Sequence, residues 1–202
     1  GGRGGVRWGG KVMWIETLLL SVKKHWPSCG ELFPELGTNT PVGSAYTSGS
    51  PLVTGSPPPF AEVRSLSAAD GRFYNWDDER EARRVAFLGS DLKQQLFGSR
   101  APLGQEVRIG DFPYTVIGVM KTKYQDSSYD GRDINKVFIP FSTALRDFPN
   151  KPPDIPESVD RLLVTPKSVE AHDACKRQLR QALSRLHHFD PDDKEAANIW
   201  DT

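Results

Sequence analysis

Residues 83–120 read RRVAFLGSDLKQQLFGSRAPLGQEVRIGDFPYTVIGVM, and this stretch decides the fold. Val85, Ala86, Phe87 and Leu88 make a short apolar run, the pattern of a strand buried on both faces. Gly89 and Ser90 follow. Ser90 is the expected N-cap, its hydroxyl accepting one of the amides that a first helical turn leaves without a partner. Asp91 suits the positive end of that helix, Leu92 and Leu96 share one of its faces, and Gly98 is expected to close it. Pro102, Leu103 and Gly104 turn the chain. Val107 and Ile109 then lead to Gly110-Asp111, a two-residue hairpin connection that tolerates positive φ. The return strand, 112–120, is rich in β-branched and aromatic residues.

The strings V-A-F-L-G-S-D (85–91), L-F-G (96–98), P-L-G-Q (102–105), V-R-I-G (107–110) and F-P-Y-T-V-I-G-V (112–119) also carry a resemblance. F-A-E-V-R at 60–64, A-D-G-R-F at 69–73 and I-P-F-S-T-A at 139–144 extend it. Together they resemble the periplasmic core domain of MacB-like, FtsX-type ABC transporter permeases. The resemblance implies an α+β fold of two subdomains, a porter-like β-α-β unit formed by both chain ends with a second α+β subdomain inserted. It implies a domain set between two transmembrane helices of a permease, on the periplasmic or extracytoplasmic face of the bacterial inner membrane. Its role there would be non-catalytic, passing ATP-driven conformational change to periplasmic partners or substrate during export. The implied partners are the transmembrane and ATPase parts of its own transporter, a periplasmic adaptor and an outer-membrane channel. A dimer is expected in the intact transporter. The opening GGRGG and the stop at Trp200-Asp201-Thr202 give the chain the look of an excised piece.

Composition agrees with a globular domain and excludes some partners. The 26 basic and 26 acidic residues balance, so no overall field draws the chain to nucleic acid. Five tryptophans among 202 residues favour a packed core over disorder. The 18 glycines and 16 prolines call for many turns and short elements. No apolar run approaches the ~20 residues that a bilayer crossing needs. The longest candidate, 12–22, is broken by Glu16, and no small-residue cleavage site follows Leu18-Leu19-Leu20.

Along the chain, residues 1–24 are read as a poorly specified leader with a helix from about Met13 that Pro27 ends. Residues 25–71 and 157–202 are assigned to the porter-like subdomain, 72–150 to the inserted one and 151–156 to a proline-rich linker. Residues 27–36 resemble the family's first strand. By the resemblance, 42–59 should hold an antiparallel pair. Here that stretch departs from the pattern, because Pro51, Pro57, Pro58 and Pro59 cannot donate to a ladder. Asn75 is a candidate cap for a short charged helix at 76–80. Residues 137–140 read as a strand closed by proline, with a helix starting at Phe141. After the linker, 159–164 reads as a strand, Ser168 as a helix cap, and Cys175, Leu179, Ala182, Leu183 and Leu186 as an apolar stripe. Residues 198–200 read as a final strand.

No catalytic, cofactor-binding or metal-binding residue is assigned. Ser90 has the strand-to-helix placement of a nucleophile elbow, but the second glycine of G-x-S-x-G is missing, which leaves a hydrolase the least favoured reading. No phosphate-binding glycine loop is present. Asp126 to Gly131 resembles the start of a calcium loop, yet the twelfth position is Val137 rather than glutamate. His25, Cys29, His172 and Cys175 can be drawn as a zinc set, though Pro27 interrupts the first pair. His187 and His188 point to different helix faces. Lys176, Arg177, Arg180 and Arg185 read as a solvated helix face rather than a nucleic-acid surface. Two cysteines are too few for a disulfide framework. One bridge is chemically possible in an oxidising periplasm, and two unpaired, mostly buried thiols is the plainer reading. The alternative to a transporter part is a periplasmic ligand- or metal-binding module.

Overall fold

The computed structural model describes residues 4–8, 27–122, 133–149, 161–187 and 197–201. In chain order the elements are β1 (Gly4–Trp8), β2 (Cys29–Asn39), β3 (Val42–Gly43), β4 (Ser48–Gly49), β5 (Leu52–Ser56), α1 (Phe60–Val63), β6 (Ala68–Gly71), α2 (Trp76–Arg80) and β7 (Val85–Leu88). They continue with α3 (Ser90–Phe97), β8 (Glu106–Ile109), β9 (Phe112–Met120) and a 3₁₀ turn at Asp133–Asn135. The last are β10 (Val137–Pro140), α4 (Phe141–Asp147), β11 (Arg161–Pro166), α5 (His172–His187) and β12 (Ala197–Asp201). The fold is α+β. It forms two compact units, Gly1–Glu35 with Pro149–Thr202, and Leu36–Phe148.

In the first unit β1 lies between β11 and β12 and runs antiparallel to both, with Val6 opposite Leu162 on one side and Ile199 on the other. β11 also pairs antiparallel with the start of β2, Phe33 facing Leu163. β11 and β12 are therefore parallel, with α5 between them in sequence and β1 inserted between them in the sheet, a split β-α-β. Residues 4–8, which the sequence leaves poorly specified, are thus a strand. Two neighbouring ladders specify it, and a glycine-rich sequence carries no side-chain pattern that would announce it. The helix expected near 13–26 and the 151–156 linker lie outside the described residues, as does His188.

In the second unit the strand order from the end of β2 is β5, β10, β7, β9, β8, β3, β4, with β6 also on β9. β10 is parallel to β5 and antiparallel to β7, and β7 is parallel to β9. β8 and β6 pair antiparallel with the two halves of β9, which is long enough at nine residues to serve both. β7 and β10 are buried throughout, as their unbroken apolar runs require. Phe60, Phe73, Phe87 and Phe138 form the aromatic centre of this core, with ring centroids 5.0 to 6.4 Å apart.

The proline-rich stretch 42–59 holds the short β3–β4 hairpin and β5. Pro51 stands just before β5 and Pro57 just after it, so the prolines bound a strand whose five residues contain none. Gly55 in β5 lets α4 lie close, because a Cβ there would overlap the Ala144 side chain. Residues 36–71, grouped by sequence with the chain ends, pack in the second unit. β5 takes its partners from β2 and β10, and β6 takes its partner from β9.

The hairpin at Gly110-Asp111 forms as its sequence requires, with Ile109 opposite Phe112 and Gly110 at φ 59°. Gly98 ends α3 at φ 57°, its N–H donating to the Gln94 carbonyl at 2.9 Å. Ser90, however, is not the cap. Gly89 holds that position, and the Ser90 hydroxyl makes no capping bond. The reason is steric: a Cβ at Gly89 would overlap the carbonyl of Ile134, which passes directly over the start of α3.

Candidate functional site

The side chains weighed as chemical groups are scattered rather than gathered. Ser90 Oγ is buried and has no hydrogen-bond partner among the described residues. Asp126 to Gly131 lies outside the described residues, as does His25. Cys29 and Cys175 are joined in a disulfide with Cα atoms 4.9 Å apart, across 146 residues of sequence. This corrects the reading of two unpaired thiols, though both cysteines are buried as expected. In this form neither sulfur is a thiolate that could ligate zinc. The strand-helix geometry of the first unit brings the pair together, and nothing in their spacing pointed to it. On α5 Arg177 is exposed while Lys176 and Arg180 are half-buried.

The groups that the fold does concentrate are buried carboxylates in the second unit. Asp147, at the end of α4, accepts Nε and Nη2 of Arg84 at 2.8 and 3.0 Å, Nε of Arg146 at 3.0 Å and the Tyr114 hydroxyl at 2.6 Å. Burial by itself would raise its pKa, but the donors from Arg84, Arg146 and Tyr114 outweigh it and hold the group at about 2. The Tyr114 hydroxyl is pushed up, by burial first and by its bond to Asp147 second. Arg84 also lies over the Phe112 ring, 4.6 Å from its centroid.

Asp78 is the hub of a second network. Asn75 and Asp78 form a reciprocal capping box at the start of α2, at 2.9 and 3.1 Å. The same carboxylate accepts Arg72 at 2.8 Å and Arg83 at 3.1 Å. Burial opposes ionisation, and these donors overcome it to leave the pKa below its usual value. In a third network Asp133, fully buried, pairs with Arg64 and Lys136, each at 3.2 Å. Each of these carboxylates is filled by cationic donors, neighbours in sequence for Asp78 and a mixture of near and distant residues for Asp133 and Asp147, so they act as ionised pins. The N-cap and N3 spacing of Asn75 and Asp78 is a signal that sequence could have given for one pin. Arg84 and Asp147 are 63 residues apart, and no pattern links them.

Among the described residues no helix is long and apolar enough to cross a membrane, and no cluster of three or more His, Cys, Asp or Glu is arranged to hold a metal.

Comparison with known proteins places this architecture. Residues 21–182 match the model of the MacB-like periplasmic core domain. The pyoverdine export ATP-binding/permease protein PvdT of Pseudomonas syringae pv. tomato is 30% identical over 164 residues, which is 80% of this chain and 24% of that protein. The macrolide export ATP-binding/permease protein MacB of a Shewanella species is 27% identical over 139 residues, 69% of this chain and 21% of that one. The chain thus spans about a quarter of the length of such relatives. In fold it is similar to the periplasmic region of MacB from Actinobacillus actinomycetemcomitans, with a TM-score of 0.77 at 17% identity, covering 98% of this chain and 87% of that one. It is equally similar to the extracellular domain of the noncanonic ABC-type transporter YknZ from Gram-positive bacteria, with a TM-score of 0.76 at 16% identity, covering 99% of this chain and all of that one. The family model covers most of the chain, including the pinned carboxylates, the split β-α-β as far as the middle of α5, and the disulfide that ties it. The chain belongs to the MacB-like periplasmic core domain family.

Proposed function

We propose that this chain is the extracytoplasmic, non-catalytic domain of an ABC transporter permease that serves export. The observation that carries this is the family match over residues 21–182, on a chain whose polar groups are arranged to hold elements together rather than to react. The buried disulfide supports an oxidising, extracytoplasmic setting, since such bonds do not persist in a reducing cytosol. The role is mechanical. ATP-driven motion of the membrane and ATPase parts moves the domain, and the domain passes that motion to a periplasmic adaptor or to the exported compound. A body that transmits displacement must resist deformation, and the ionised pins at Asp78, Asp133 and Asp147 give the second unit that property.

In this reading the intact permease works as a dimer at the periplasmic face of the inner membrane and reaches an outer-membrane channel through its adaptor. The export functions named for the relatives put exported compounds, such as pyoverdine or a macrolide, in the substrate class. Affinity purification of the intact permease, with its own ATPase part and a neighbouring adaptor co-expressed, tests the proposal. The adaptor should co-purify and be lost when residues 27–187 are deleted. Recovery of the adaptor in equal amount without this domain would refute the coupling role.

A further inference from the structure

The first unit is joined in two physically different ways. Its strands β12, β1, β11 and β2 are held by backbone ladders that need no sulfur. The helix α5 is tied to the start of β2 by the Cys29–Cys175 bond. Three hydrogen bonds surround that tie. The Ser28 N–H donates to Gln178 Oε1 at 3.1 Å, and Gln178 Nε2 donates to Ser28 Oγ at 3.1 Å. The Lys167 N–H, just after β11, donates to the Ser28 carbonyl at 3.0 Å. Cys175 and Gln178 are three residues apart and share a helix face, with Leu179 buried beside them.

We propose that Cys29–Cys175 is a redox latch for α5. When oxidised, it fixes the helix on the β2–β11 pair. When reduced, the helix loosens while the strands of the unit and the whole second unit keep their structure. The latch is set by thiol–disulfide exchange with a disulfide oxidant. One cysteine thiolate attacks an oxidant sulfur and expels the first thiol, and the other cysteine then attacks the mixed disulfide and expels the second. Two cysteine thiols become one disulfide, and the oxidant disulfide becomes two thiols, so two electrons and two protons pass to the oxidant. A dithiol reductant runs the same steps backwards. Both cysteines are only 5% exposed, so a reductant reaches the bond when α5 opens, and the latch releases slowly in the folded chain.

Hydrogen exchange on the full 202-residue chain tests this, with oxidised, dithiothreitol-reduced and glutathione-disulfide-reoxidised samples compared, and thiols counted by alkylation and mass. Reduction is expected to speed exchange in α5 by about tenfold or more while α3 and β7 stay within about twofold, and reoxidation should restore protection. Cys175→Ser should reproduce the reduced pattern. Gln178→Ala, with the bond intact, should leave α5 protected. Unchanged α5 protection on reduction would overturn the proposal. So would loosening of α3 to the same extent, which would make the bond a staple of the whole chain. A Gln178→Ala chain as loose as the reduced one would overturn it too, because hydrogen bonds rather than sulfur would then hold the helix.

Discussion

Glu79 caps a helix to which it does not belong. Its Oε1 on α2 accepts the backbone N–H of Ser142 at 2.9 Å, and the Ser142 hydroxyl donates back to the Glu79 carbonyl. The N-cap residue of α4 is Pro140, which has no side-chain acceptor, so the cap comes from another element. Glu79→Ala should destabilise the second unit by about 1–2 kcal/mol, the usual range for a lost cap. Thermal melts followed by circular dichroism measure it. Glu79→Gln keeps the acceptor and should lose less.

The two substitutions also separate in their pH dependence. Burial raises the Glu79 pKa above 4.5, and its bonds from Ser142 and Phe141 oppose that only in part. As pH falls through the raised value, the folded state takes up the proton before the unfolded chain does. Glu79 therefore adds stability as pH drops towards 4.5, and the gain is complete below it. Melts between neutral pH and 4.5 should show this gain in the wild-type chain and not in Glu79→Gln.

Asp147 behaves oppositely. Its folded pKa is about 2 against 3.8, so its stabilisation is complete above 3.8 and is lost as pH falls from there towards 2. Asp78 shifts in the same direction. Asp147→Asn should cost about 2 kcal/mol at neutral pH. That is below the range for a wholly buried pair, because the Arg84 and Arg146 side chains are 36% and 47% exposed. Tyr114→Phe removes one charged-group hydrogen bond and should cost roughly 1.5 kcal/mol. Acid titration should find the Asp147→Asn chain less sensitive below pH 4 than the wild type.

Gly89→Ala tests the crossing of the Ile134 backbone over α3. The added methyl would overlap that carbonyl, and the Gly89 N–H already donates to the Lys136 carbonyl at 2.8 Å, so neither segment can retreat freely. The expected loss is about 1–3 kcal/mol by overpacking. Urea unfolding should show a lower midpoint with an unchanged slope.

These cases mark how far the sequence could be read. Local signals within residues 83–120 agreed with one another, and β7, α3, β8, β9 and the Gly110-Asp111 turn lie where they pointed. Asn75, the strand at 137–140 and the helix from Phe141 were legible for the same reason, since each rests on neighbours a few residues away. Ser90 shows the limit. It has the right residue type for a cap, but a carbonyl from 44 residues later claims the space and requires glycine at the cap position. The strand at Gly4–Trp8 and the Cys29–Cys175 bond belong to the same class, because partners distant in sequence specify both. The pins at Asp147 and Asp133 were hidden likewise, with Arg84 meeting Asp147 and Arg64 meeting Asp133 across more than sixty residues of sequence.

The most direct test of the account is the side of the membrane on which the domain lies. Asp111, exposed at the hairpin tip, is replaced by cysteine in the full-length permease. Intact cells are then treated with a maleimide that passes the outer membrane but not the inner one. Labelling of Asp111→Cys without lysis is predicted. Labelling that appears only after the inner membrane is broken would contradict an extracytoplasmic domain.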